Sequence, residues 1–314
     1  MKIDKCMHFF KHPDSNAEAE FAIENNFLVD KNSQIKYPII NNMVDFSKSN
    51  IADEMISNNK KGLLFRINTL FSQHFDERIL TSIFAGGGVT FFWGTRKIKK
   101  WFDMVASDIT LFLDPANKEV LSYVGSENCI SVCDFSSRNV LPNKNFYPDL
   151  SASFEQIPIK TNSIQNIISN FVLEHVKSPS KHFEELKRIL KPGGYLIIAG
   201  PGAVYPSHRK PFNYFNITQF GYFELIKDNN LELIEEYFPA KSWVSILYLC
   251  YTAIVRNSLY NNNQFTKTLQ MIVFSISLLI SPILNLIALL LDRVTPFDKT
   301  IYSVYMALVR KPEN

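Results

Sequence analysis

Between Ile164 and Ala199 the sequence leaves little choice of local structure. Ile167-Ile168-Ser169 is a short run of strand formers, and Tyr195-Leu-Ile-Ile-Ala199 is a second. One helix lies between them with its limits marked. Ser178 is a natural N-cap, and Pro179 takes the first helical position, where its missing N–H costs nothing. Pro192-Gly193-Gly194 stops it. Phe183, Leu186, Ile189 and Leu190 form its buried stripe, and Lys187, Arg188 and Lys191 sit at the negative end of its dipole. Strand, helix, strand in this order is a βαβ crossover, which implies a parallel sheet. His182 falls on the polar side of the stripe and is expected to be solvated.

The flanking sequence extends the pattern. From about residue 104 to 237, apolar strands alternate with helices, the signature of further βαβ units. Residues 1–46 are polar and asparagine-rich, and Asn41-Asn42 between two apolar runs reads as a turn joining two strands. Residues 47–103 read as a helical linker, with Leu63, Leu64, Ile67, Leu70 and Phe71 at helical spacing. Residues 240–293 are apolar with few charges, and Ile301–Val309 is rich in strand formers. At 314 residues and a net charge of +3, the chain can bury a full core and carries no field that favours nucleic acid. Cys6, Cys129, Cys133 and Cys250 form no CxxC pair, which predicts a reducing, cytoplasmic setting and no metal site. The opening MKIDKCMHFFKHPD is charged and broken early, unlike a signal peptide.

The run SIQNIISNFVLEHVKSPSKHFEELKRILKPGGYLII resembles the region after the fourth strand of class I S-adenosylmethionine-dependent methyltransferases. That family has a VLEHV-like run after strand four and an LKPGG turn before strand five. Glu155-Gln-Ile-Pro158 resembles its acidic segment before strand four, and PSHRKPFNYFNIT (Pro206–Thr218) resembles a subgroup motif of the form HxxPxDYxRxT. The head resembles the end of a small zinc-ribbon-like domain, in a degenerate form without its metal cysteines. The resemblance implies a Rossmann-like, seven-stranded α/β sheet with helices on both faces, a small N-terminal segment, and a helical hydrophobic insertion before the last strand. It implies S-adenosyl-L-methionine as cofactor. The acceptor would be an unidentified small molecule or a lipid-linked molecule. A non-catalytic binding or scaffold protein on the same fold is the alternative.

Such a fold places its nucleoside at the carboxyl ends of the parallel strands. Two registers compete for strand one. The first takes Ile79–Ala85, with Gly86-Gly87-Gly88 as the loop and Asp108 as the ribose carboxylate. It leaves too long a stretch before Ser153 for one helix and one strand. The second takes Ile109–Leu113 as strand one, Asp114-Pro115-Ala116-Asn117 as the loop, and Ile130–Cys133 as strand two, with Asp134 as the carboxylate. Its connections are of ordinary length, and it is preferred. In it Asp114 and Ala116 replace the family's glycines, and Ser153 replaces the family's Asp. Asp114, Ala116, Asp134, Ser153, Phe154, Asn170, Phe171 and His175 are then the expected cofactor contacts, with His208 and Tyr214 on the acceptor side. Asn213 and Asn216 stand where the subgroup motif has Asp and Arg. His175 either faces the site or sits partly exposed at a helix start.

Thr268–Leu291 carries no formal charge over a length that would span a membrane. A single crossing would separate strand six (Leu231–Tyr237) from strand seven (Ile301–Val309), which must pair. Residues 240–293 are therefore expected to form a helical hairpin that either rests on a membrane surface or caps the protein.

Overall fold

The structure, a computed structural model, describes residues 2–13, 19–47, 87–105, 109–114, 128–134, 148–207, 213–260 and 264–313. Its centre is the crossover read from the sequence. Strand β8 (Ile164–Asn170) leads through a short 3-10 turn, Leu173–His175, into helix α3 (Pro179–Ile189) and strand β9 (Leu190–Pro201). The Ser178 hydroxyl accepts the Lys181 N–H, so the capping reading holds. β8 and β9 are parallel, with Ile167 opposite Leu196 and Ser169 opposite Ile198. The PGG segment differs from the expected turn. β9 starts at Leu190, directly off the helix, and Gly193 lies inside it at φ +74° as the register shifts. A side chain there would be strained, which is the reason for glycine.

Strand one is β5 (Thr110–Leu113), between β6 (Cys129–Cys133) and β8, parallel to both. Its position matches the preferred register, with Ile109–Leu113 as strand one and Ile130–Cys133 as strand two. Gly87 and Gly88 open helix α2 (Gly87–Val105) instead of a loop. Ile79–Ala85 and Asp108 lie outside the described residues, as does the linker's other helical reading. β7 (Leu150–Ser151) pairs with β6. On the other side, helix α4 (Gln219–Asp228) leads to β10 (Glu232–Tyr237). β11 (Val304–Arg310) inserts antiparallel between β9 and β10. Across these seven strands the order is β7-β6-β5-β8-β9-β11-β10, which is 3-2-1-4-5-7-6 counted from strand one.

Both faces of the sheet are covered, so its strands are apolar on both sides. Leu111, Leu113, Ile167, Leu196 and Ile198 pack with Phe183, Leu186 and Ile189 of α3 and with Tyr222 and Ile226 of α4. The alternate residues Phe112, Ile168 and Ile197 pack against Ile98, Trp101 and Phe102 of α2.

Eleven strands share the sheet, four more than expected, because the head continues it. After a short helix α1 (Lys2–Cys6), strands β1 (Phe21–Glu24), β2 (Phe27–Asp30), β3 (Lys36–Ile40) and β4 (Met43–Asp45) form successive hairpins. β4 then pairs in parallel with β7. Asn41 and Asn42 take left-handed backbone, at φ 52° and 64°, in the two-residue turn that Asn tolerates well. A buried hydrogen-bond cluster holds the head. The His12 ring meets Asp30 at 2.9 Å and the Tyr37 hydroxyl at 2.8 Å, and Ser33 donates to Asp30. Those bonds, Ser33's above all, hold the Asp30 carboxyl well below its usual pKa.

Between β10 and β11 the chain forms two helices, α5 (Ser242–Tyr260) and α6 (Gln264–Val294). They pack as an antiparallel hairpin, as the pairing of strands six and seven required. The Asp292 carboxylate of α6 accepts the N–H groups of Lys241, Trp243 and Val244, which caps the start of α5. Among the described residues no helix is long and apolar enough to cross a membrane.

Candidate functional site

The candidate site residues assemble along one edge of the sheet. Ser153, Asp134, Asp114 and Asn170 follow or end the neighbouring strands β7, β6, β5 and β8, which lie about 4.8 Å apart. Asp134 is buried, with 7% of its surface exposed, directly after β6. Asp114 is buried after β5, and its N–H donates to the Val132 carbonyl at 2.9 Å.

Two residues on this edge have left-handed backbone. Asp114 lies at φ 50° and Phe171 at φ 54°. Asp accepts this conformation better than most residues, so the left-handed position directly after strand one is met without a glycine. For a bulky Phe the same backbone costs about 1–2 kcal/mol, and strain of this kind gathers at functional sites. The Phe171 N–H donates to Ala199 at 2.7 Å, which holds the turn in place. Its ring lies 5.5 Å from Tyr205, and Tyr205 lies 5.9 Å from Tyr248 on α5. A line of aromatic rings thus runs from the end of β8 to the helical hairpin.

Phe154 is buried, and its carbonyl meets the His182 ring nitrogen at 2.8 Å. This corrects the reading of His182, which is fully buried and not solvated. The strand alternation puts Ser169 beneath the helix, and its hydroxyl meets the other ring nitrogen at 3.3 Å. Burial lowers the His182 pKa to about 4, so the ring is neutral at pH 7. His175 is also buried, 3.8 Å from the Glu174 carboxylate, and not at an exposed helix start.

On the acceptor side, Tyr214 is exposed, and its N–H donates to the Glu174 carbonyl at 2.7 Å. That bond lays the Tyr214 segment against the turn after β8. Asn216 bonds the Tyr205 carbonyl at 2.6 Å, so the NYFN segment is tied to both ends of the site. His208 and Ala116 lie outside the described residues. Glu155, read from the sequence only as part of the acidic segment, accepts the N–H groups of Lys177 and Ser178 and anchors the turn from the far side. The sequence reading missed Tyr205 and Tyr248, because aromatic residues in a loop and on an apolar helix carry no spacing signal. A cavity lies elsewhere, at the opposite edge, between α3, the end of α4 and Lys311. There the Lys311 ammonium already donates to Asn162 and to the Lys187 and Leu190 carbonyls.

The edge fits a nucleoside cofactor of the kind the resemblance implies. A buried carboxylate at the end of strand two can accept both hydroxyls of a ribose, and apolar strand ends on either side exclude water. Among the described residues no group of three or more His, Cys, Asp or Glu side chains could hold a metal ion.

Residues 112–198 match the family described as "Methyltransferase domain". No curated protein matches the chain. Among solved structures the chain is similar to a candidate sarcosine dimethylglycine methyltransferase from Galdieria sulphuraria, at 14% identity over 71% of this chain and 85% of that one, TM-score 0.44. It is similar to the [4+2]-cyclase SpnF, at 10% identity over 70% and 81%, TM-score 0.42. It is also similar to phosphoethanolamine N-methyltransferase 2 of Haemonchus contortus, at 14% identity over 68% and 51%, TM-score 0.41. At these scores the assignment rests on the family match and the strand order.

Proposed function

We propose that the chain is a class I S-adenosylmethionine-dependent methyltransferase that transfers a methyl group to a small-molecule or lipid-linked acceptor, a reading supported by the match of residues 112–198 to a methyltransferase domain. The observation that carries this reading is the strand order 3-2-1-4-5-7-6, with Asp134 at the end of strand two beside Asp114 at the end of strand one.

When bound, S-adenosylmethionine supplies an activated methyl group on a sulfonium. The chain's own residues do the remaining work. Asp134 accepts the ribose hydroxyls, and the Asp114 turn brings backbone close to the nucleoside. Phe171 and Tyr205 exclude water from the acceptor side. Tyr214, exposed and held by its backbone to Glu174, offers a phenol to position the acceptor group. Methyl transfer depends chiefly on aligning the two reactants, so these positioning contacts are the main catalytic contribution asked of the protein.

Isothermal titration of the full chain with S-adenosylmethionine, and with its demethylated product, tests the reading. Binding of both is expected. A chain that binds neither has no cofactor site, and the proposal fails. Comparing small molecules and lipids from cells with and without the protein then identifies the acceptor.

A further inference from the structure

Helix α6 has its apolar and polar sides exchanged relative to a helix made for water. Its buried face, turned to α5, carries Ser277, Ser281, Ala288 and Asp292. Its opposite face presents Ile272, Ile276, Leu279, Ile283, Leu286 and Leu290 to the outside, with Leu279 80% and Ile283 62% exposed. These positions repeat every three or four residues, so they form one continuous aliphatic stripe. A helix of a water-soluble domain buries its aliphatic side chains and turns its serines outward. Small residues at the helix–helix seam with large aliphatic ones outside is the arrangement used in lipid, where close packing joins the helices and the surroundings are themselves apolar.

The width of the stripe indicates what covers it. Val273, Ile280 and Ile287 extend it on one flank and Leu289 on the other, all exposed. The apolar arc thus takes in about half of the helix circumference at 100° per residue. A protein partner covers one side of a helix, and its contact surface favours aromatic, Met and Arg side chains. Here the surface is almost purely aliphatic, and Thr268–Leu291 contains no charge. Exposed aromatic and basic groups mark the base of the hairpin. There Trp243 is 42% exposed with its indole N–H on Thr295, Arg293 is exposed, and Lys241 lies over the Phe297 ring. Trp and basic residues at one end of an apolar element are the usual anchors at a membrane–water boundary.

We propose that the α5–α6 hairpin embeds in the hydrocarbon of a lipid bilayer from one side and docks the chain there. Both ends of the hairpin return to the sheet at the pairing of Tyr237 with Met306, so the chain does not cross. Val304 pairs with Pro201 at the carboxyl end of β9, which places the hairpin at the same edge as Asp114, Asp134 and Asn170. The aromatic line Phe171–Tyr205–Tyr248 joins the two. Resting on the methyltransferase reading, the acceptor reached from that surface is one held in the bilayer by its own lipid anchor. The docking itself does not depend on that reading.

Cys250 on α5 is exposed while Cys6, Cys129 and Cys133 are buried, so an environment-sensitive fluorophore can be placed on the hairpin of the native chain. The full chain is mixed with vesicles of phosphatidylcholine, with and without phosphatidylglycerol, and floated on a density gradient. Expected are co-flotation with both kinds of vesicle and a blue shift of the fluorophore. Leu279→Asp and, separately, Ile283→Asp should lower partitioning about ten- to a hundredfold, with circular dichroism and cofactor titration unchanged. A full chain that stays out of the vesicle fraction overturns the proposal. So does flotation with anionic vesicles alone that salt abolishes without a fluorescence change. A concentration-dependent dimer that vesicles do not compete with and Leu279→Asp dissolves would assign the stripe to a second copy of the chain instead. Failure of cofactor titration alone would remove the acceptor inference and leave the docking intact.

Discussion

At the scale of single residues, Asp134, Asp108 and His182 make separable predictions. Asp134→Ala removes a charged acceptor from the cofactor's ribose, an interaction worth about 1.5–3 kcal/mol. Titration should show affinity for S-adenosylmethionine weakened about ten- to a hundredfold. Asp108→Ala should leave it unchanged, and the reverse result would move the ribose carboxylate to Asp108. His182 makes a prediction about stability. Its folded pKa is depressed to about 4 from the ordinary 6.5, so the unfolded chain takes up the proton first as pH falls. The associated stability is fully present above about pH 6.5 and is lost as pH falls toward 4. The whole shift corresponds to about 3 kcal/mol, of which about 2 kcal/mol is lost by pH 5. Urea unfolding at pH 7.5 and pH 5 should show that loss in the native chain and a smaller one in His182→Gln. Equal losses would mean that the ring titrates normally. The sequence misjudged this residue for a definite reason. The helix period places His182 beside the apolar stripe, but only the sheet shows that Ser169 and the Phe154 carbonyl stand opposite it.

At the scale of elements, those with strong local signals were read almost to the residue. Ser178-Pro179 started α3 where expected, and the asparagine pair closed the β3–β4 turn. Strand one was decided by connection length, because glycine content pointed the wrong way. Gly87 and Gly88 proved to be helical, while the left-handed residue directly after strand one is Asp114. The capping of α5 by Asp292 was invisible in the sequence, since the two residues of each contact are 48 to 51 positions apart. It yields a prediction. Asp292→Ala leaves three N–H groups at the start of α5 without their acceptor and should cost about 1–2 kcal/mol. Hydrogen exchange should quicken at Trp243 and Val244 while the β8 and β9 amides stay protected. No change at those two amides would show that the cap contributes nothing to the hairpin.

At the scale of the whole molecule, the sheet and the hairpin answer to different requirements. The sheet is closed by its own side chains. Phe238 after β10 packs on Tyr302 and Tyr305, and Tyr305 stacks on Tyr222 at 4.7 Å. The hairpin is joined to the sheet more lightly, through the Ser245–Ser303 hydroxyls and the Tyr205–Tyr248 contact, while Ala240, Val244 and Ala288 form a small apolar cluster of its own. Little of the main core is therefore lost with it. Replacing residues 241–299 by a short glycine-containing turn should leave β10 and β11 paired, since two antiparallel strands need only a few residues between them. The shortened chain is expected to unfold in a single cooperative transition and to bind S-adenosylmethionine less than about tenfold more weakly than the full chain, a smaller change than a full loss of the Asp134 contact. It should also be more soluble, because an exposed aliphatic stripe larger than ordinary surface patches has gone. Failure to fold would place α5 and α6 within the core and make the exposed stripe a product of that packing. Retained folding with cofactor binding abolished would make Tyr248 part of the site, reached through Tyr205 and Phe171, and would join the two halves of the molecule that their packing keeps apart.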